Sequence, residues 1–254
     1  MKTFNRNQLK LFMLFLMTLD HIPMFVSVEV STFFHLVSRC VAVFFGYMVV
    51  EGMIHTKNKY NYTLRLWISA LIMLLGNTIL NFIFGLFLSS TRETLYLINN
   101  NIFLTLAIGA TILCLADRIK QQSALIAKGL IILAVILLLL AGSLFSEGGL
   151  VVLPFILITF LTKNKKKARI YGYLILSLVT FFLSDFQPLL QARDFRDLLL
   201  MLGYNSSWLF LLVLPILKRY DGKKVQTSKK QQHFFYLYYP LHLWLISLVA
   251  NFIL

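Results

Sequence analysis

Apolar stretches close to twenty residues long recur from one end of this chain to the other, and that recurrence limits the fold more than any other feature. Read in order, they cover roughly residues 9–28, 33–53, 67–88, 102–116, 129–146, 148–162, 170–184, 198–217 and 233–253. A helix of about 20 apolar residues crosses the hydrocarbon core of a bilayer, whereas soluble domains interrupt such runs with charge. The chain has 254 residues, of which 59% are hydrophobic and only 13% charged, against about 25% charged in an ordinary soluble domain. The bilayer is therefore the solvent. The expected fold is all-α, a polytopic transmembrane helix bundle of about nine spans (range 8–10), forming a single integral membrane domain over residues 1–254. Spans four, six and seven are short for a perpendicular helix, which predicts tilt or re-entrance. The turn Ser146-Glu147-Gly148-Gly149 reads either as an extracellular loop or as a break in one hairpin. Lys2, Arg6 and Lys10 precede the first run as in a signal peptide, but no small-residue cleavage site follows, so it reads as a retained helix.

The net charge of +14 suggests a polyanion partner until its distribution is considered. With alternating spans and a cytoplasmic N-terminus, 20 of the 24 Lys and Arg residues fall on one side, at 2–10, 57–65, 118–128, 163–169 and 218–230. Arg92, Arg193 and Arg196 fall on the other side, and Arg39 lies within a span. That asymmetry is the positive-inside signature of a multi-pass protein of the cell membrane. It accounts for the charge without nucleic acid as a partner. Cys40 and Cys114 both sit in apolar runs, which predicts small buried residues rather than a disulfide. No Cys/His pair has zinc spacing, so no metal site is expected.

Ionisable groups inside such runs cost roughly 2.5–3.5 kcal/mol each by insertion scales and mark functional sites. Asp20 and His21 stand side by side in the first run, His21 about 16 Å along the helix from Lys10. Pro23 is expected to kink that helix beside Asp20. Neighbours in sequence point about 100° apart on a helix, so Asp20 is expected to meet another helix, with Arg39 as its candidate partner. Glu51 and His55 lie four apart on one face and read either as an interfacial pair with no chemistry or as a site at the inner mouth of a cavity reaching His21. His242 lies about 13 Å into the last span, at a depth matching His21, and Tyr239 shares its face. These two are expected to point inward, with Leu243 and Ser247 turned elsewhere or lining the edge. Asn77 with Asn81, and Asn101 with Thr105, have the spacing of polar groups that bond neighbouring helices, with acceptor contacts as a second role.

Taken together, these residues resemble the TraX family of membrane proteins from conjugation systems. The matching pieces are Leu19-Asp20-His21-Ile22, Arg39 with its Phe-rich sequel, Glu51-Gly52, His55-Thr56 and Arg65-Leu66. Asn101-Ile102, Thr105 and the ending Phe235-Tyr236-Leu237-Tyr238-Tyr239-Pro240-Leu241-His242-Leu243 continue the match. The family's founding activity is N-acetylation of pilin, and it is similar to the acyltransferase-3 group, marked by a basic residue, ten residues, then His. Lys10 and His21 have that spacing. The resemblance implies an integral membrane acyltransferase moving acetyl from cytosolic acetyl-CoA to an amine or hydroxyl of a peptide or glycan acceptor. His21 would be the base or a transiently acetylated relay. Asp20 would orient it or anchor Arg39, which would stabilise charge or hold an anionic acceptor. His242 and Tyr239 would complete the cavity. Lys10, Glu51, His55 and Arg65 would receive the CoA, with Asn101 and Thr105 on the acceptor side. Two rival readings are a proton-coupled transporter or flippase and a non-catalytic assembly factor of a conjugation or secretion system.

Overall fold

Helices account for most of the chain that the computed structural model describes, residues 3–88, 95–223 and 228–253. Lys2, Arg92 and Lys224, used above to assign sides, lie outside the described residues. The first helix, α1 (Arg6–Asp20), begins with a reciprocal cap. The Asn5 side chain accepts from the backbone N–H groups of Asn7 and Gln8, while the Gln8 side chain accepts from Asn5 N–H. It ends at Asp20, with His21 as its C-cap, and Pro23 opens a separate 3-10 turn over Pro23–Phe25. The expected single kinked span over 9–28 is thus corrected. Proline disfavours helical backbone in the residue before it, and Ile22 leaves the α region (φ −113°, ψ 29°). At 15 residues, α1 is about 22 Å long.

The next two helices, α2 (Val28–Ser38) and α3 (Cys40–His55), join through Arg39, whose own backbone is helical, and together form a 28-residue apolar rod. Then come α4 (Lys59–Leu88), α5 (Ile102–Gln121), α6 (Leu125–Phe145), α7 (Gly149–Leu161) and α8 (Lys166–Thr180). A π-helical turn (Phe181–Asp185) leads into the short α9 (Phe186–Leu189), followed by α10 (Phe195–Tyr204), a 3-10 segment (Ser207–Leu212), α11 (Val213–Arg219) and α12 (Lys229–Ile253). Among the described residues, six helices are long and apolar enough to cross a bilayer. They become seven if α10 and the segment Ser207–Arg219, bent by 58°, count as one. The first and sixth of the nine expected spans are the shorter helices α1 and α7.

Burial sorts the helices into an inner and an outer set. Helices α3, α5 and α7 are buried around most of their circumference, with Phe44, Ala107, Ala110, Val152, Phe155 and Ile156 at their common core. In contrast, α6 buries only Val135 and Gly142, and α4 shows Leu71, Leu74, Ile79 and Phe82 on its outer face. An apolar exterior of this kind suits lipid, not water. Backbone that leaves the helices must be satisfied from within. Residues 95–100 illustrate this. Asn81 both donates to the Ile98 carbonyl and accepts from its N–H, Asn77 donates to the Asn100 carbonyl, and Ser247 and Asn251 both donate to the Tyr96 carbonyl. The π turn likewise brings the buried carboxylate of Asp185 to the backbone N–H of Trp208.

Candidate functional site

Two polar clusters meet where α1 ends. In the first, Asp20 accepts from Arg39 at 3.1 Å and lies 2.8 Å from His35 Nδ1. Arg39 also donates through Nε to the His35 carbonyl at 3.0 Å. The expected Asp20–Arg39 contact is therefore present, with a member that sequence reasoning missed. His35 sits one helical turn before Arg39, so both face the same carboxylate; that i, i+4 spacing was the available signal. Arg39 Nη2 also approaches His35 Nδ1, at 2.9 Å. Nδ1 holds at most one proton, and the neighbouring carboxylate favours its donation to Asp20. That tautomer leaves the lone pair on Nε2. Tyr204 of α10 stacks on the ring at 5.5 Å and 17°, fixing its plane.

The second cluster joins the two ends of the chain. The rings of His21 and His242 lie 5.5 Å apart, tilted by 56°, so the match in depth inferred from spacing is a contact in space. His242 Nδ1 lies 2.9 Å from the Tyr238 carbonyl, which can only accept, so Nδ1 carries the proton. Nε2 then bears the lone pair, and it is buried with no hydrogen-bond partner among the described residues. Tyr238 stacks on the His242 ring at 5.1 Å and its hydroxyl meets Thr18 Oγ1 at 2.7 Å, tying α12 to α1. Tyr239 and His242 both point inward as expected, but Leu243 and Ser247 are buried as well, the latter bonded to Tyr96. The last helix is enclosed on more sides than one inward face.

Tyr239 leads to a carboxylate that the sequence reading had treated only as part of a turn. Its hydroxyl donates to Glu147 at 2.7 Å, and Asn100 donates to the other carboxylate oxygen at 3.1 Å. Burial raises the Glu147 carboxyl above its ordinary pKa, and those two donors oppose the shift only in part. The turn geometry explains how a loop residue goes inside. Gly148 takes φ +64°, and a Cβ on Gly149 would stand 2.0 Å from the Gly142 carbonyl. Glu147 is the one carboxylate between Asp117 and Asp185, and its place before two glycines was the signal. Asn101 and Thr105 serve here as supports. Asn101 caps α5 and donates to the Ala70 carbonyl, and Thr105 donates to the Glu147 carbonyl.

A cavity of about 220 Å³ opens on the face rich in Lys and Arg, lined among others by Arg6, Lys10, Arg65, Tyr62, Phe103 and Tyr236. Lys10 lies 4.9 Å over the Phe235 ring, and Gly52 lets Tyr62 approach so closely that a Cβ there would meet its hydroxyl at 2.7 Å. Lys10 and Arg65 are thus where a cavity needs them. Glu51 and His55 are not, which corrects the expected inner-mouth site. They pair with each other at 3.5 Å on the face of α3 that carries Tyr47, while Phe45, Met48, Val49 and Gly52 of the same helix face the cavity. From the cavity, ring contacts run inward: Phe103 meets Tyr239 at 5.5 Å, and Tyr239 meets His242 at 5.6 Å.

Apolar helices closed around paired ionisable side chains define a multi-pass integral membrane protein with a buried polar site. Residues 5–250 match the TraX protein family, and the chain belongs to that family, which points to a membrane protein associated with conjugation systems. No curated protein and no solved structure matches the chain.

Proposed function

We propose that this protein is a membrane acyltransferase that takes acetyl from cytosolic acetyl-CoA and passes it to an amine or hydroxyl of a peptide or glycan acceptor at the cell membrane. The observation that carries this reading is the partnerless Nε2 of His242, joined by aromatic contacts to a cationic cavity on the basic face. A cavity of this size falls below the ~300–1,000 Å³ that encloses a drug-sized ligand. It suits the narrow thioester arm of CoA, with the nucleotide left at the mouth. Arg6, Lys10 and Arg65 supply charge for its phosphates, and among the described residues no carboxylate lines the cavity to oppose them.

His242 Nε2 or the adjoining His21 takes the proton of the acceptor as its nitrogen or oxygen bonds the acetyl carbon. The carbon–sulfur bond then breaks, and the CoA thiolate leaves toward the cations and takes up a proton from the histidine. A positioned base of this kind contributes about 10²–10⁴-fold. Asp20, His35 and Arg39 form the polar wall beside His21, and Arg39 offers charge to an anionic acceptor. The resemblance to the acyltransferase-3 group, through the Lys10–His21 spacing, supports the same assignment.

A proton-coupled transporter is the second reading, favoured by the helix broken at His21 and the bent α10–α11 pair, since broken helices also mark transport sites. Purified protein given radiolabelled acetyl-CoA separates the two. Acyl transfer predicts release of labelled acetyl to water or acceptor, at least tenfold reduced in His242→Ala. A rate indistinguishable from buffer sends the protein to the transporter or assembly-factor class.

A further inference from the structure

A groove distinct from the cationic cavity runs along the outside of α1. Its walls are Phe12, Leu16 and Leu19 of α1, Phe33 of α2, Ile216 of α11 and Arg219 at one end. It encloses about 830 Å³, and Phe12 and Phe33 keep 48% and 61% of their surface exposed. The basic end is closed by a short pairing in which Phe4 N–H donates to the Arg219 carbonyl and Asp221 N–H donates to that of Phe4. From Gln8 to Leu19 the groove follows α1 for about 16 Å, close to half of a ~30 Å hydrocarbon core. Its depth is that of one leaflet.

An apolar hollow open to the bilayer core faces a medium without water, and unfilled walls forfeit their dispersion contacts. Hydrocarbon is the occupant that the bilayer supplies. The polar groups lining the groove are few, Gln8 and Arg219 at the basic end, with no carboxylate among the described lining residues. The Arg219 guanidinium has no ion pair among the described residues.

We propose that this groove binds one anionic phospholipid of the leaflet on the basic face, with its phosphate on Arg219 and an acyl chain along α1. The chain ends against Leu19 and Phe33, one residue from Asp20 on one side and two from His35 on the other. The bound lipid thereby braces the α1–α2 hairpin that holds the Asp20–Arg39 pair. The site stands apart from the proposed transfer chemistry and needs no activity to be tested.

The protein is purified from membranes, its retained lipids are identified by native mass spectrometry, and delipidated samples are titrated with phosphatidylglycerol or phosphatidylcholine. The expected result is one tightly retained phospholipid and a preference of about fivefold for phosphatidylglycerol, the effect of one cation near a lipid surface. Arg219→Gln should keep the lipid and lose the headgroup preference. Leu212→Trp, at an exposed lining position, should displace the chain while the protein still unfolds cooperatively. If Leu212→Trp does not fold, Arg219→Gln alone decides. Equal binding of both lipids by the parent protein, or an unchanged preference in Arg219→Gln, would mean annular lipid only and overturn the proposal.

Discussion

His242 presents its lone pair because a carbonyl holds its other nitrogen, and this is the finest detail on which the proposed chemistry turns. Whichever of His242 and His21 is the base, its change to Ala should lower acetyl transfer about 10²–10⁴-fold while both variants reach the membrane at normal levels. Retention of more than about a tenth of the rate, a loss below ~1.4 kcal/mol, would remove that histidine as the base. Asp20→Asn should destabilise the protein by less than the ~3–5 kcal/mol of a fully buried pair, because both side chains keep about a fifth of their surface. Thermal unfolding in detergent reads this directly. Glu147 provides a test in pH. Its neutral form is favoured by the fold, so its contribution is fullest below the ordinary carboxyl value of about 4.3 and is lost as pH rises through the raised value. Glu147→Gln should therefore gain stability relative to the parent between pH 4 and 8; a difference that shrinks over that range would contradict the assignment. Asp20, His21, Arg39 and His242 were legible as charges out of place in apolar runs. His35 and Glu147 carried only weak signals, an i, i+4 spacing to Arg39 and a place before two glycines, since the partners that give them weight lie 15 residues away or on other helices.

Individual helices end where local chemistry says they must, and those ends build the site. α1 stops at Asp20 because Ile22 precedes a proline, and this releases His21 from the helix to face α12. The turn before α7 depends on two glycines for different reasons. Gly148→Ala would force a side chain into left-handed backbone at a cost of about 1–2 kcal/mol. Gly149→Ala would drive a Cβ into the Gly142 carbonyl, which cannot move aside, and should cost more. Both changes should also lower transfer, because they displace Glu147 from Tyr239. Thermal shift and rate measured on the same preparations test this order, and equal losses at the two positions would refute it. The sequence read most helices correctly by apolar length. It misread the first span because a proline in an apolar run is compatible with either a kink or a stop.

For the whole molecule, the separation of charge predicts sidedness. A single cysteine at position 58 or 165 should be shielded from impermeant reagent added outside, whereas one at 193 should label. Outside labelling at 165 would reverse the arrangement. This expectation rests on charge alone, because short loops rich in Lys and Arg stay cytoplasmic whatever the helices pack against.

The sequence by itself determined the solvent, the helical class and the depth at which the ionisable residues lie, because hydrophobic length and charge along the chain are one-dimensional quantities. Tertiary structure alone decided which of those residues meet. His21 and His242 are more than 200 positions apart and touch only because α1 and α12 pack together, while Glu51 and His55, adjacent to cavity residues in sequence, face the other side of α3. Rotation of a helix about its axis is set by its neighbours, and an apolar run long enough to cross the bilayer looks the same from every side.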